Sequence, residues 1–214
     1  MQSNSVQMPL VDNTCGVRPT IERIPGGKET TLPWQVYIPF SGQCQATCGG
    51  TLISPRHVLT AAHCNLWETS TVVVGEHSRT NESDGTIHEF CRYENHPDYS
   101  RNDNYDFAIV HLKNPVEIGP QAIPACLPTA AMHRDNFFVG KTLTTSGWGT
   151  MDYGEDRCPD KLHAVNVTGV SNRECKERYS KIGKGHQIRP ESLCAGDTID
   201  GGEDACQGDS GGRL

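Results

Sequence analysis

From residue 34 onward the chain is a succession of short runs, 35–40, 51–54, 57–60, 71–74, 87–93, 108–112, 141–146 and 162–167. Each is β-branched or alternating, and each is cut off from the next by Gly, Pro, Asn or Asp. β-Branched side chains suit a pleated, half-buried surface, and the intervening residues are those that turns require. Such punctuated spacing predicts an all-β sandwich or barrel and does not separate the two. One stretch, 171–180, departs from it: a capping serine, Ser171, followed by charged residues and Tyr179 predicts a short helix. Residues 1–23 carry no periodic apolar pattern and read as a loose leader with Cys15 as its anchor. No internal repeat or low-complexity tract is present.

At 214 residues the chain has room for one large all-β domain or two small ones. Ten cysteines, a formal charge of -7 and 22 glycines indicate an oxidising compartment, because cytosolic thiols stay reduced and rarely accumulate at this density without a metal. The chain is therefore expected to be secreted. Its acidity excludes a nucleic-acid partner, since no basic stripe is available to neutralise phosphates. No run approaches the roughly 20 apolar residues of a membrane helix. Residues 1–14 are polar, not positive-then-apolar as in a signal peptide, so the sequence itself holds no export signal. The triplets Asn81-Glu82-Ser83 and Asn166-Val167-Thr168 are glycosylation acceptors by pattern, at a level chance also reaches.

Three blocks carry chemistry. Gly208-Asp209-Ser210-Gly211-Gly212 offers a serine flanked by glycines, whose missing side chains let a carbonyl approach backbone N–H groups. Thr60-Ala61-Ala62-His63-Cys64 offers a base. Asn104-Tyr105-Asp106-Phe107-Ala108-Ile109-Val110 places an acid at the head of an apolar run, where it needs a partner, and His63 is the one expected. A serine hydroxyl is a poor nucleophile at neutral pH and needs a base within reach and a third group fixing that base's tautomer. Ser210, His63 and Asp106 supply these roles.

The order His63, Asp106, Ser210 separates a chymotrypsin-like arrangement from the subtilisin and α/β-hydrolase ones. With Leu32-Pro33-Trp34-Gln35-Val36, Cys48-Gly49-Gly50-Thr51-Leu52-Ile53-Ser54, Ser146-Gly147-Trp148-Gly149, Cys194-Ala195-Gly196 and Asp204-Ala205-Cys206-Gln207, the chain resembles the trypsin-like serine proteases over residues 24–214. The resemblance implies an all-β fold of two six-stranded antiparallel barrels with the triad in the cleft between them. It also implies a leader, 1–23, and a protease domain, 24–214. The family continues beyond a position equivalent to Leu214 with further strands and a helix. The second barrel is therefore expected to be incomplete in this chain, and the chain to be a marginal or inactive fragment.

The same resemblance implies residue roles. The N–H groups of Gly208 and Ser210 are the matching oxyanion donors. Asp209, beside the nucleophile, needs a cation, which the family supplies by cleavage. Here the cut falls between Arg23 and Ile24, and the new α-amino group of Ile24 is expected beside Asp209, making the intact chain a zymogen. Pro25 stands where the family usually has valine and removes one N–H. Asp204 matches the floor of the specificity pocket, so cleavage after Arg or Lys is expected. Implied disulfides are Cys48–Cys64, Cys175–Cys194 and Cys15–Cys126, with Cys44, Cys91, Cys158 and Cys206 unassigned. Zinc at Cys44 and Cys48 is the weaker alternative, because no compact Cys/His quartet follows. The acidic loop 76–89, with Glu76, Glu82, Asp84 and Glu89, resembles one that holds structural calcium in some members, and a plain solvated loop is an equal reading. No cofactor is required by this chemistry. Expected partners are protein substrates with Arg or Lys before the cut bond, an activating protease and serpin-type inhibitors. The tethered leader, the Arg23 site and the extra cysteines resemble arthropod clip-domain proteases of immune or clotting cascades. The rival reading is a catalytically silent homologue that acts as a binding or cofactor protein.

Overall fold

A computed structural model describes residues 15–16, 31–39, 48–66, 71–80, 85–100, 105–129, 132, 137–150, 158–196 and 209–212. Six antiparallel strands form a closed barrel: β1 (Gln35–Ile38), β2 (Cys48–Ser54), β3 (His57–Thr60), β4 (Thr71–Val74), β5 (Thr86–Asn95) and β6 (Ala108–Leu112). Their order is β1-β2-β3-β6-β5-β4, and β4 closes back on β1 through Val36 opposite Val74. Closure removes the free edges that a twisted sheet otherwise presents. A second sheet follows, with β7 (Thr142–Gly147), β8 (His163–Val170) and β9 (Cys194–Gly196) in that order. The fold is the mostly β, antiparallel class that the punctuated sequence predicts.

Alternate residues of the barrel strands turn inward, as a period of two requires. Val36, Ile38, Leu52, Val58, Val72, Val74, Val110 and Leu112 are buried together. Strand β5 breaks the alternation: its register against β6 shifts between Phe90 and Arg92. That irregularity lets Phe90 and Tyr93, an odd number of residues apart, both pack on the core. Strand β2 starts earlier than the 51–54 run because its glycines fit a crowded site. A Cβ on Gly50 would lie 2.7 Å from a methyl of Val58.

A second cluster, Leu32, Trp34, Ala125, Trp148 and Leu162, joins the barrel to the second sheet. Tyr37 meets Trp148 edge-on at 5.4 Å. Buried Gln35 accepts a 2.8 Å hydrogen bond from Ser146 Oγ, tying β1 to β7. Asp160 accepts from the Thr80 hydroxyl at 2.7 Å and the Ser78 hydroxyl at 2.8 Å. Those bonds, Thr80 first, hold its carboxyl below the usual range.

The expected helix is α1 (Asn172–Ser180), with Ser171 Oγ accepting from the Glu174 N–H. Glu174 and Arg178 pair at 2.6 Å one turn apart. Its buried residue, Cys175, is bonded to Cys194 of β9.

Candidate active site

His63 stands in a single 3-10 turn, Ala62–Cys64, that follows β3 directly. Asp106 lies just ahead of β6, which pairs with β3 through Thr60 opposite Ala108. Adjacent strands thus deliver the base and the acid to one end of the barrel. The Asp106 carboxylate accepts two hydrogen bonds from the same residue, from the His63 ring Nδ1 at 2.6 Å and from the His63 main-chain N–H at 2.8 Å. A carboxylate can only accept, so Nδ1 carries the proton and Nε2 is left as the basic nitrogen. The ring is 48% exposed while the carboxylate is 24% exposed, so the acid is the more sheltered member.

Asp106 is held by its neighbours. Tyr105 has φ 52°, and its ring stacks on His96 at 4.7 Å. Phe107 meets that imidazole edge-on at 4.7 Å, and its carbonyl accepts from the His96 N–H at 3.0 Å. The residues on both sides of Asp106 therefore grip one ring.

Ser210 reaches this end of the barrel through its backbone. Its carbonyl accepts from the Gly49 N–H at 2.7 Å, and the Gly49 carbonyl in turn accepts from the Thr60 hydroxyl at 2.8 Å. Gly211 has φ 79°, and a Cβ there would lie 2.6 Å from the Gly49 carbonyl and 2.8 Å from the Ala61 nitrogen. Only glycine permits both that conformation and that approach. Asp209 turns toward β7: Gly149 donates its N–H to Oδ1 at 2.8 Å, and a Cβ on Gly149 would lie within 2.6 Å of the carboxylate. A cleft of about 910 Å³ adjoins these elements, with Asp106, Phe107, Thr60, Gly211 and Gly212 among its walls.

The Trypsin family model matches residues 24–214. The chain belongs to the trypsin family. Among its relatives, venom serine protease Bi-VSP of Bombus ignitus is 37% identical over 206 residues, 90% of this chain and 56% of that protein. Serine proteinase stubble of Drosophila melanogaster is 37% identical over 218 residues, 94% of this chain and 27% of that protein. The chain thus spans about half or less of these two relatives. Mouse neuropsin, a serine protease expressed in the limbic system, superposes with a TM-score of 0.69 at 31% identity, over 84% of this chain and 75% of its own.

In this trypsin-family chain the sequence-predicted residues divide. His63 and Asp106 are hydrogen-bonded to each other, the Ser210 carbonyl is bonded to Gly49 at the start of β2, and Asp209 is bonded to Gly149 after β7. Cys48 is bonded to Cys64, directly after His63, and Cys15 to Cys126, where Gly16 N–H also donates to the Pro124 carbonyl at 2.8 Å. Arg23, Ile24, Asp204, Gly208 and Glu82 lie outside the described residues, as do Asp84, Cys44 and Cys206. In the acidic loop, Glu89 pairs with Lys113 at 2.7 Å, and that contact lowers its carboxyl. Among the described residues, the one cluster spaced to hold a metal is Cys48, His63 and Cys64, whose two sulfurs are already joined to each other.

One residue near the site escaped the sequence reading. Tyr93 donates its hydroxyl to the Ala62 carbonyl at 2.9 Å, immediately before His63. Burial pushes its hydroxyl up to about 12. The available signal was a tyrosine at the end of the 87–93 run, which looks the same as any strand aromatic.

Proposed function

We propose that the chain is the catalytic part of a secreted serine endopeptidase, made as a zymogen, that cleaves proteins after Arg or Lys. The observation that carries this reading is the double grip of Asp106 on His63 beside the backbone-anchored Ser210. In this reading Ser210 Oγ attacks the scissile carbonyl while His63 Nε2 takes its proton. Asp106 holds the imidazolium that results. The N–H groups of Gly208 and Ser210 receive the oxyanion. His63 then returns the proton to the departing amine, and water, activated by the same imidazole, releases the acyl group.

Asp204 is assigned the pocket floor. A carboxylate in a dry slot is disfavoured until a substrate guanidinium or ammonium pairs with it, so basic side chains gain most from entering. Ile24, freed by an activating protease, is assigned to Asp209, with Gly149 N–H already supplying one donor to that carboxylate. Extracellular action fits the three disulfides. The test is turnover of matched peptide substrates with Arg, Lys or Leu before the cut bond, by wild type and Asp204→Ala after cleavage between Arg23 and Ile24. Basic substrates dominate in the wild type and lose their advantage in the variant. Equal turnover of basic and apolar substrates by the wild type refutes the specificity.

A further inference from the structure

We propose that Tyr93 is a positioning residue for His63, its hydroxyl fixing from the carbonyl side the peptide unit that Asp106 fixes from the N–H side. The proposal rests on the serine-protease reading and assigns a role to a residue outside the three catalytic blocks. The 3-10 turn that carries His63 is three residues long and has no side-chain cap at its start. A turn this short holds few hydrogen bonds of its own and relies on its surroundings for rigidity. Its end, Asn65, sits at φ 50°, a left-handed conformation that a non-glycine residue adopts at a cost.

Three external constraints act on it. The Cys48–Cys64 bond holds the residue after His63. Asp106 Oδ1 accepts the His63 main-chain N–H at 2.8 Å. On the opposite side of that peptide unit, the Ala62 carbonyl accepts from the Tyr93 hydroxyl at 2.9 Å, with the Ala61 carbonyl at 3.5 Å. The Asn65 N–H reaches both the Ala62 carbonyl, at 3.2 Å, and the phenol oxygen. The hydroxyl therefore bridges the two ends of the turn. A planar peptide held at both its C=O and its N–H has lost its main freedom to swing, and with it His63 loses the freedom to move its ring off the Asp106 oxygen.

The tyrosine can act this way because β5 is irregular. The register shift beside Cys91 aims Tyr93 into the barrel end, where it packs on the buried core and reaches Ala62. Burial raises its pKa, so the phenol keeps its proton and remains a donor at neutral pH.

The test is Tyr93→Phe, which removes one oxygen and keeps the ring. In the full chain cleaved between Arg23 and Ile24, the rate of covalent labelling by an organofluorophosphate falls about five- to tenfold, the size of one lost buried hydrogen bond. With a peptide substrate kcat falls by the same factor while KM holds. Tyr93→Met, smaller but apolar and also without a hydroxyl, gives the same split. Unchanged labelling and kcat in Tyr93→Phe overturn the proposal. A fall in thermal midpoint with kcat intact assigns Tyr93 to packing alone and overturns it equally. A wild type that is not labelled even after cleavage between Arg23 and Ile24 overturns the serine-protease reading and this role with it.

Discussion

Asp106 binds His63 twice, through Oδ2 to the ring Nδ1 at 2.6 Å and through Oδ1 to the main-chain N–H at 2.8 Å. The second contact fixes where the residue sits and the first fixes which nitrogen is basic. Asp106→Asn keeps the shape but offers an amide N–H₂ where one oxygen accepted. The imidazole must then present its other tautomer. The expected loss in kcat is about 10⁴-fold, as is typical of this change in the Ser-His-Asp template, with folding preserved. Steady-state kinetics beside a far-UV circular dichroism spectrum checks it.

The bond between Cys48 and Cys64 closes a loop of sequence separation 16 around the base. Replacing both by Ala removes that constraint from the unfolded chain at a cost of about 3 kcal/mol. Urea unfolding of the double variant reads the change as a lower midpoint. Activity is expected to fall further than stability does, because the residue after His63 is one end of the constraint.

Gly211→Ala tests the approach of the serine turn to the barrel. At φ 79° a Cβ costs about 1–3 kcal/mol in backbone strain alone. It also meets the Thr60 hydroxyl and the Gly49 carbonyl, which organise the contact to the Ser210 carbonyl. Thermal unfolding is expected to show a lowered midpoint, and covalent labelling of Ser210 to drop sharply. A variant with wild-type labelling contradicts the turn geometry described here.

Much of this arrangement was legible before the structure. Strands β3, β4 and β6 carry the bounds of their sequence runs, because each is a short β-branched segment between polar breaks. The cap at Ser171 fixed the start of α1 in the same way. What escaped depends on contacts between distant segments. Strand β9 is three residues, Cys194–Gly196, too short to have a period, and exists through its pairing with β8. The glycine start of β2 follows from the bulk of Val58 across the ladder, not from any propensity of Gly49 or Gly50. The inward turn of Tyr93 follows from a register shift that no local pattern encodes. The contacts of His96 with Tyr105 and Phe107 are likewise made across the chain, visible only once β5 and β6 are side by side.

Alkaline stability follows from Tyr93. Its pKa is raised from 10.0 to about 12, first by burial. The unfolded chain gives up that proton near pH 10 and the folded chain does not, so this contribution to stability is complete below pH 10 and is lost as the pH rises through about 12. Urea titrations across this window are expected to show a steeper decline for wild type than for Tyr93→Phe, which has no proton to lose. Parallel declines contradict the burial of the hydroxyl.

The most direct measurement is to locate the adduct formed by an organofluorophosphate on the full chain, cleaved between Arg23 and Ile24, by peptide mass spectrometry, in wild type, His63→Ala and Ser210→Ala. A single adduct on Ser210 that disappears in both variants is the predicted result. An adduct elsewhere, or one on Ser210 that forms as fast without the imidazole, contradicts the site.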